Sequence, residues 1–436
     1  MIKKMIMLIL LAKITVITNA QGIKFENNLT WNELKERARL ENKYIFIDCF
    51  TTWCSPCKLM DNEVYTSRIV GAYMDDKFLS IKVQMDSTDL DNEQTKIRHK
   101  EASDIQSIYQ VESFPTFLFF NVEGEFVHRF SGAIRDSDFL KVAANSLIPE
   151  RQYATLINNY KFGKKEYNNM TYLINLVENT GNKELAKEIF NDYKENYLNK
   201  INEQEVFTKK NLNVISKYEI KISTSDNIFK LLREKANNAD EIMGYNISER
   251  IINAIITREE INSILWPDGI PITNEPDWKR IKGNIEKKYG VTTSDKTILE
   301  AQLRWYDEKN DWALIAKYNI DKIEKFGIDT AGLAKYHTNN MIWRIFFEKE
   351  QKTAIIYKGI KYMETIVNAN PENPVMIDTY ANLLYKVGLA EKAVNWEKKA
   401  AKCEQKIASA EKRSSNKVYE STLIKMKKNI PTWPSK

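Results

Sequence analysis

The chain has 436 residues, 43% hydrophobic and 28% charged, with 65 Lys and Arg against 59 Asp and Glu for a formal charge of +6. Lys3, Lys4 and Lys13 carry three of those charges, which leaves the rest near +3 (6 − 3) with both signs mixed along it, so no basic nucleic-acid surface is indicated. Four cysteines are far too few for a disulfide-stapled scaffold, and the length allows more than one domain.

Met1-Ile2-Lys3-Lys4 is followed by an apolar run from Met5 to Ala12, Lys13, a second run from Ile14 to Ile17, and Thr18-Asn19-Ala20. A basic start, a brief apolar stretch and a small final residue describe a secretory signal peptide over residues 1–20. Lys13 interrupts the run, which is short for crossing a bilayer; an uncleaved N-terminal anchor is the alternative. Both readings export the rest of the chain, most simply to a periplasm. Next, Thr30-Trp31-Asn32-Glu33 has the form of a capping box, and Trp31, Leu34 and Ala38 recur on one helical face. This predicts a first helix leading into Tyr44–Phe50, a β-branched and aromatic run expected of a strand buried on both faces.

Thr51-Thr52 breaks that strand, and Cys54-Ser55-Pro56-Cys57 should open a helix, with Pro56 early, where a missing N–H matters little. The free N–H groups and dipole of a helix start favour an anion. Cys54 is therefore expected to have a lowered pKa and to be the attacking thiolate. Cys57, one turn further in, is within disulfide reach and expected to be the less exposed of the two. The chemistry implied is thiol–disulfide exchange, with Cys54 attacking a substrate disulfide and Cys57 resolving the mixed disulfide. The alternative for two cysteines so spaced is half a zinc site. Zinc takes about four ligands, and Cys49, Cys403, His99, His128 and His337 offer no second paired spacing. No metal is expected, nor any cofactor beyond a redox-active Cys54–Cys57 disulfide. Asp48, a charge inside an apolar run, points to a tuned pKa; Cys49 reads as a buried filler.

These residues resemble the thioredoxin superfamily. Asp48, six residues before Cys54, stands where that family carries a buried acid that assists proton transfer at the second cysteine. Lys82, within Phe78–Asp86, matches the lysine that partners the acid, and Trp53 and Lys58 flank the cysteines as in the family. Ser113-Phe114-Pro115-Thr116 matches the loop whose cis-proline faces the disulfide, and Gly124 and Gly132 match its hairpin and late-strand glycines. The resemblance implies an α/β fold, a central mixed sheet flanked by helices, over residues 21–148. It also implies catalytic roles for Cys54, Cys57, Asp48 and Lys82, and a substrate groove formed by Trp53, Phe114 and Pro115. The family's helix-kinking proline is missing after Pro56, and Met60 to Val70 looks like an exported branch. That branch includes the periplasmic C-terminal domain of a transmembrane electron carrier. Strongly oxidising relatives place a histidine between the cysteines; Ser55-Pro56 has none, which points to a reductase or isomerase.

The helix begun near Pro56 is expected to run on through Met60, Val64 and Tyr65. Ser87 to Ala102, polar and charged, should add a helical excursion before a helix at Asp104–Tyr109. Asp136–Leu147 should close the domain, with Pro149 at its boundary. Residues 149–436 read as an all-α, helical-hairpin or solenoid-like domain. Asn370 to Ala400 resembles a tetratricopeptide repeat, with Ala381, Gly388, Ala393 and Ala400 in register and Glu397 where that family usually has an aromatic. A 34-residue echo falls on Trp343, Phe347, Gly359 and Met363, and a further pair centres on Gly181, with Ala186, Phe190 and Tyr193. Cys403, on a charged late helix, is not expected to be a redox centre.

The sequence therefore reads as an exported thiol:disulfide oxidoreductase that reduces or isomerises protein disulfides. Its expected partners are disulfide-bearing proteins and a membrane or exported thiol donor, with no nucleic acid, and the helical domain is expected to bind protein. The rival reading is an interaction scaffold in which the helical array does the work and the thioredoxin fold is a docking module.

Overall fold

The computed structural model describes residues 22–434 apart from 27, 245 and 351; the predicted signal peptide lies outside the described residues. Four strands, β1 (Tyr44–Phe50), β2 (Phe78–Gln84), β3 (Thr116–Phe120) and β4 (Phe126–Ser131), form one sheet in the order β2-β1-β3-β4. The β1–β2 pair is parallel and the other two pairs are antiparallel. Helices α1 (Trp31–Glu41), α2 (Ser55–Leu59), α3 (Arg68–Lys77), α4 (Glu93–Tyr109) and α5 (Asp136–Ser146) flank it, giving the expected mixed-sheet α/β architecture. Strand side chains alternate between faces. Ile45, Ile47 and Cys49 therefore enter a core layer with Leu34 and Ala38 of α1 and Ile105 of α4. Phe46 enters the opposite layer, with Met60, Val64, Met74 of α3 and Phe139 of α5. Asp48 shares the parity of Phe46, so β1 delivers a carboxylic acid into that second apolar layer.

The capping box of α1 is closed from both sides: Thr30 Oγ1 accepts from the Glu33 N–H, and the Glu33 carboxylate accepts from the Thr30 N–H. Two expected elements differ. The excursion and the Asp104–Tyr109 helix are one continuous helix, α4, begun by Asn92, whose Oδ1 accepts from the Thr95 N–H at 2.9 Å. It looks polar in sequence because only Ala102 and Ile105 are buried along it. The helix opened at the CxxC stays regular only to Leu59 and then takes a π turn over Met60–Val64, closed by the Tyr65 N–H on the Met60 carbonyl at 2.8 Å. One added residue turns everything after it by about 100°.

The chain divides into two compact units between Glu249 and Arg250. Pro149 opens a short 3₁₀ turn after α5, and the first unit continues through α6 (Tyr153–Lys161), α7 (Met170–Asn179) and α8 (Lys183–Tyr193). The turn between α7 and α8 carries Gly181 at φ +85°, and Ala186, Phe190 and Tyr193 are buried. The Tyr153 N–H donates to His128 Nδ1 at 3.0 Å, which fastens the start of α6 to β4.

Within the second unit, most of the described residues are helical, and a loop over 270–277 separates Pro267–Gly269 from the helix Trp278–Tyr289. Gly359 lies so close to Phe346 that an added Cβ would come within 3.1 Å of its ring, a tight helix crossing. Pro374–Lys386 and Ala390–Ala410 form a hairpin, ten residues longer at its end than the expected stop at Ala400. Gly388 turns it at φ +84°, a left-handed conformation that suits glycine. Ala381, Ala393 and Ala400 are fully buried, and so is Glu397, at 0% exposure.

Neither Glu397 carboxyl oxygen has a hydrogen-bond partner of ordinary donor type among the described residues. Its neighbour is another acid, Asp378, which accepts from Asn382 Nδ2 at 3.0 Å. Burial first, and for Glu397 the Asp378 charge next, push both carboxyls up, so the two hold a proton between them. Tyr419 faces the same pair, and Glu404 nearby is already matched by Arg413. Acids with raised folded pKa values stabilise the fold at low pH and lose that contribution as pH rises above about 4.5, the ordinary glutamate value. Glu397→Gln, which retains a donor for Asp378, is expected to stabilise the chain by roughly 1–3 kcal/mol at pH 8 and by little at pH 4. Thermal unfolding at both pH values checks this; an equal effect at both would refute it.

Candidate active site

The site lies where β1 gives way to α2. Thr52 donates from its N–H and its hydroxyl to the Asp86 carboxylate beyond β2, which anchors the approach to the cysteines. Cys54 is the N-cap of α2, Pro56 falls in its first turn, and the Cys57 N–H points at Cys54 Sγ, 3.0 Å away. That N–H is one of the unpaired donors of a helix start, and it would stabilise a thiolate at Cys54 once the bond opens. Cys54 and Cys57 are joined as a disulfide, with Cα atoms 5.3 Å apart. The expected difference in exposure is not seen: Cys54 is 2% and Cys57 3% exposed. With the bond closed, both sulfurs sit beneath the same turn.

The parallel register sets Lys82 directly beside Asp48. Asp48 is 1% exposed, and its Oδ1 has no hydrogen-bond partner among the described residues. Its Oδ2 lies 3.7 Å from Lys82 Nζ. Burial raises the Asp48 pKa to about 7, with the Asp61 charge adding to the rise and the Lys82 charge opposing it. The buried Tyr65 hydroxyl faces the same carboxyl. Lys82 itself is held by Asp61, with which it makes a close ion pair, and by the faces of Phe50, Tyr65 and Phe25, 4.6, 5.6 and 5.7 Å from its nitrogen. A cleft of about 710 Å³, lined by Phe25, Asp61, Tyr65 and Lys82 among others, opens this group to solvent.

Trp53 is 69% exposed and meets Phe114 edge-on, with ring centroids 6.0 Å apart. The Phe114–Pro115 peptide is cis, as the resemblance implied, and Pro115 is buried at the start of β3. Cys54 is thus joined to Cys57, Asp48 set beside Lys82, and Trp53 laid against Phe114. Asp61, Tyr65 and Asp86 belong to the site too and were missed. Asp61 follows Cys57 by four residues, a helical neighbour position, which is the one signal that could have pointed to it. Cys49 lies on the opposite face, its thiol pushed far up by burial and by the Asp48 charge, so it is inert at neutral pH. Cys403 is half-buried on Ala390–Ala410, with its thiol also raised by burial.

A disulfide-bonded cysteine pair at a helix start, with a buried acid on the strand leading into it, describes a thioredoxin-type disulfide domain. Residues 31–146 match the family model described as a thioredoxin-like domain. An H-type thioredoxin from Fagopyrum esculentum is 27% identical over 129 residues, 30% of this chain and 95% of that protein. A thioredoxin from Ophiophagus hannah is 33% identical over 103 residues, 23% of this chain and 80% of its own length. A solution structure from Bacteroides thetaiotaomicron, described as a candidate disulphide-isomerase, is 32% identical and covers 30% of this chain and 96% of that one, with a TM-score of 0.25. The chain belongs to the thioredoxin-like family, through its disulfide-oxidoreductase-like N-terminal domain.

Two predictions follow from the charge cluster. Asp61→Asn frees Lys82 for Asp48 and removes a repelling charge, so the Asp48 pKa is expected to fall below about 7. Carboxyl-carbon NMR titration reads this, and an unmoved midpoint would count against it. Because the folded Asp48 pKa lies above its ordinary 3.8, the acid's contribution to stability is present at low pH and lost as pH rises toward about 7. Asp48→Asn should therefore stabilise the fold by roughly 2–4 kcal/mol at pH 8 and not at pH 4, measured by denaturant unfolding.

Proposed function

We propose that this chain is an exported thiol:disulfide oxidoreductase that reduces or isomerises disulfides in other proteins. The observation that carries the reading is the Cys54–Cys57 disulfide at a helix start, with Asp48, its pKa raised to about 7, buried in the layer beneath. In the reduced protein the Cys54 thiolate attacks a client disulfide, forming a Cys54–client bond and releasing one client sulfur as a thiolate. Cys57 then gives its proton to Asp48 and attacks Cys54 Sγ, which re-forms the Cys54–Cys57 bond and releases the second client sulfur. The client gains two electrons and the protein loses two. An exported or membrane-borne dithiol must restore them, becoming a disulfide itself. Lys82 limits the rise of the Asp48 pKa, and the cleft at Asp61 and Lys82 gives the proton a way out to water. Trp53, Phe114 and Pro115 form the apolar wall against which the client lies. The helical hairpins, tetratricopeptide-like in pattern, hold the client or the donor.

Cys57→Ser is expected to leave Cys54 able to form mixed disulfides that do not resolve, so disulfide-bearing proteins should be trapped in reductant-sensitive adducts. Asp48→Asn should slow turnover by on the order of 10²-fold near pH 7. Equilibration against glutathione should give a potential near thioredoxin's, about −270 mV. A value near about −120 mV would make the protein an oxidant, and the absence of any reversible couple would turn the reading to an interaction scaffold.

A further inference from the structure

The helical segment meets the edge of the sheet at His128, through the Tyr153 N–H, and again at Ser131, through one side chain. Asn179 is the last residue of α7, and β4 is an edge strand. Asn179 Oδ1 accepts from the Ser131 N–H at 2.6 Å, and its Nδ2 donates to the Ser131 carbonyl at 2.7 Å. A primary amide has the donor and acceptor of a peptide group, so Asn179 adds one rung to the ladder where no strand follows.

Ser131 is no ordinary edge residue. It stands opposite Thr116, the residue after Pro115, with the two hydroxyl oxygens 2.8 Å apart. Thr116 Oγ1 donates to the Ser113 carbonyl at 2.7 Å, which uses its one proton, so Ser131 is the donor between the two hydroxyls. The next residue, Gly132, donates its N–H to the Pro115 carbonyl at 2.8 Å. Ser113 is thus linked to Ser131 through the Thr116 hydroxyl, and Pro115 is held by Gly132, the residue after the one that Asn179 grips.

We propose that Asn179 is a positioning residue: through Ser131 it fixes the loop carrying Phe114 and Pro115, and so sets the affinity for disulfide-bearing clients. The helical segment beginning at α6 is then part of the client site rather than an appendage. The claim about affinity rests on the oxidoreductase reading; the claim about the loop does not.

The test uses the full mature chain with Asn179→Ala and Asn179→Asp. In the Ala variant, amide exchange at Gly132 should speed up about tenfold. The KM for insulin, used as a disulfide probe, should rise at least about threefold, with kcat and the equilibrium with glutathione unchanged. A purely structural role would lower stability without separating KM from kcat. The Asp variant adds a signature: its carboxylate accepts from Ser131 but has nothing to donate to the carbonyl, whereas the protonated acid does. Its defect relative to wild type should be full at pH 8 and shrink toward pH 5, and this pH response decides the matter if the Ala variant does not fold. Unchanged Gly132 exchange, or faster exchange with an unchanged KM, overturns the proposal. A wild-type chain that reduces no insulin would instead sink the oxidoreductase reading, and Gly132 exchange alone would then decide whether Asn179 holds the loop.

Discussion

Asp48 carries a carboxyl into an apolar layer, where lost hydration opposes ionisation and Lys82, from the neighbouring strand, does most to help it, with the Tyr65 hydroxyl adding to that. That balance depends on strand register. Side chains alternate along β1 and β2, so a slip of one residue would bring Ile81 or Val83 alongside the acid and leave it without a cation. It depends equally on where the lysine is held. Three aromatic faces and Asp61 keep the Lys82 ammonium 3.7 Å from Asp48 rather than in full contact. Full contact would favour the ionised acid at all working pH values; no contact would keep it protonated. The intermediate separation leaves Asp48 able both to take and to give a proton near neutrality.

The π turn over Met60–Val64 is part of the same device. It lies just past the CxxC, where relatives kink the helix with a proline, and the two acid-facing residues Asp61 and Tyr65 are on it and immediately after it. A backbone irregularity at this point therefore decides which side chains share the layer with Asp48. The second unit offers a contrast. Glu397 is as deeply buried as Asp48 but has another acid for a neighbour, so its charge would have no counterpart and the pair keeps the proton it shares. Burial raises both groups; the partner determines whether the group can cycle.

Much of this was legible in the sequence because it is written in local rules. The capping box at Thr30 and Glu33, the apolar run of β1, the CxxC at a helix start and the glycines at 181 and 388 each need only neighbours in the chain. The pairing of Asp48 with Lys82, and the place of Pro115, came from resemblance, since no local pattern joins residues so far apart. What stayed hidden depends on tertiary packing. Nothing in Met60–Val64 marks a π turn, and Asp61 acquires meaning only once β2 sets Lys82 beside it. The continuous α4 was obscured because its polar exposed faces outweigh the two residues it buries, and Asn92 was not read as its cap. The equal burial of the two cysteines follows from closing the bond, which chain position does not reveal.

The amide of Asn179 on the rim of β4 has a wider consequence. An exposed edge strand is an open template on which a second chain can add by backbone pairing. At Ser131 that template is already occupied by a side chain of the same molecule, and at His128 the strand is overlain by the start of α6. Closing that rim from within leaves β4 no open backbone at Ser131 for another chain to pair with, which guards the sheet against edge-to-edge association.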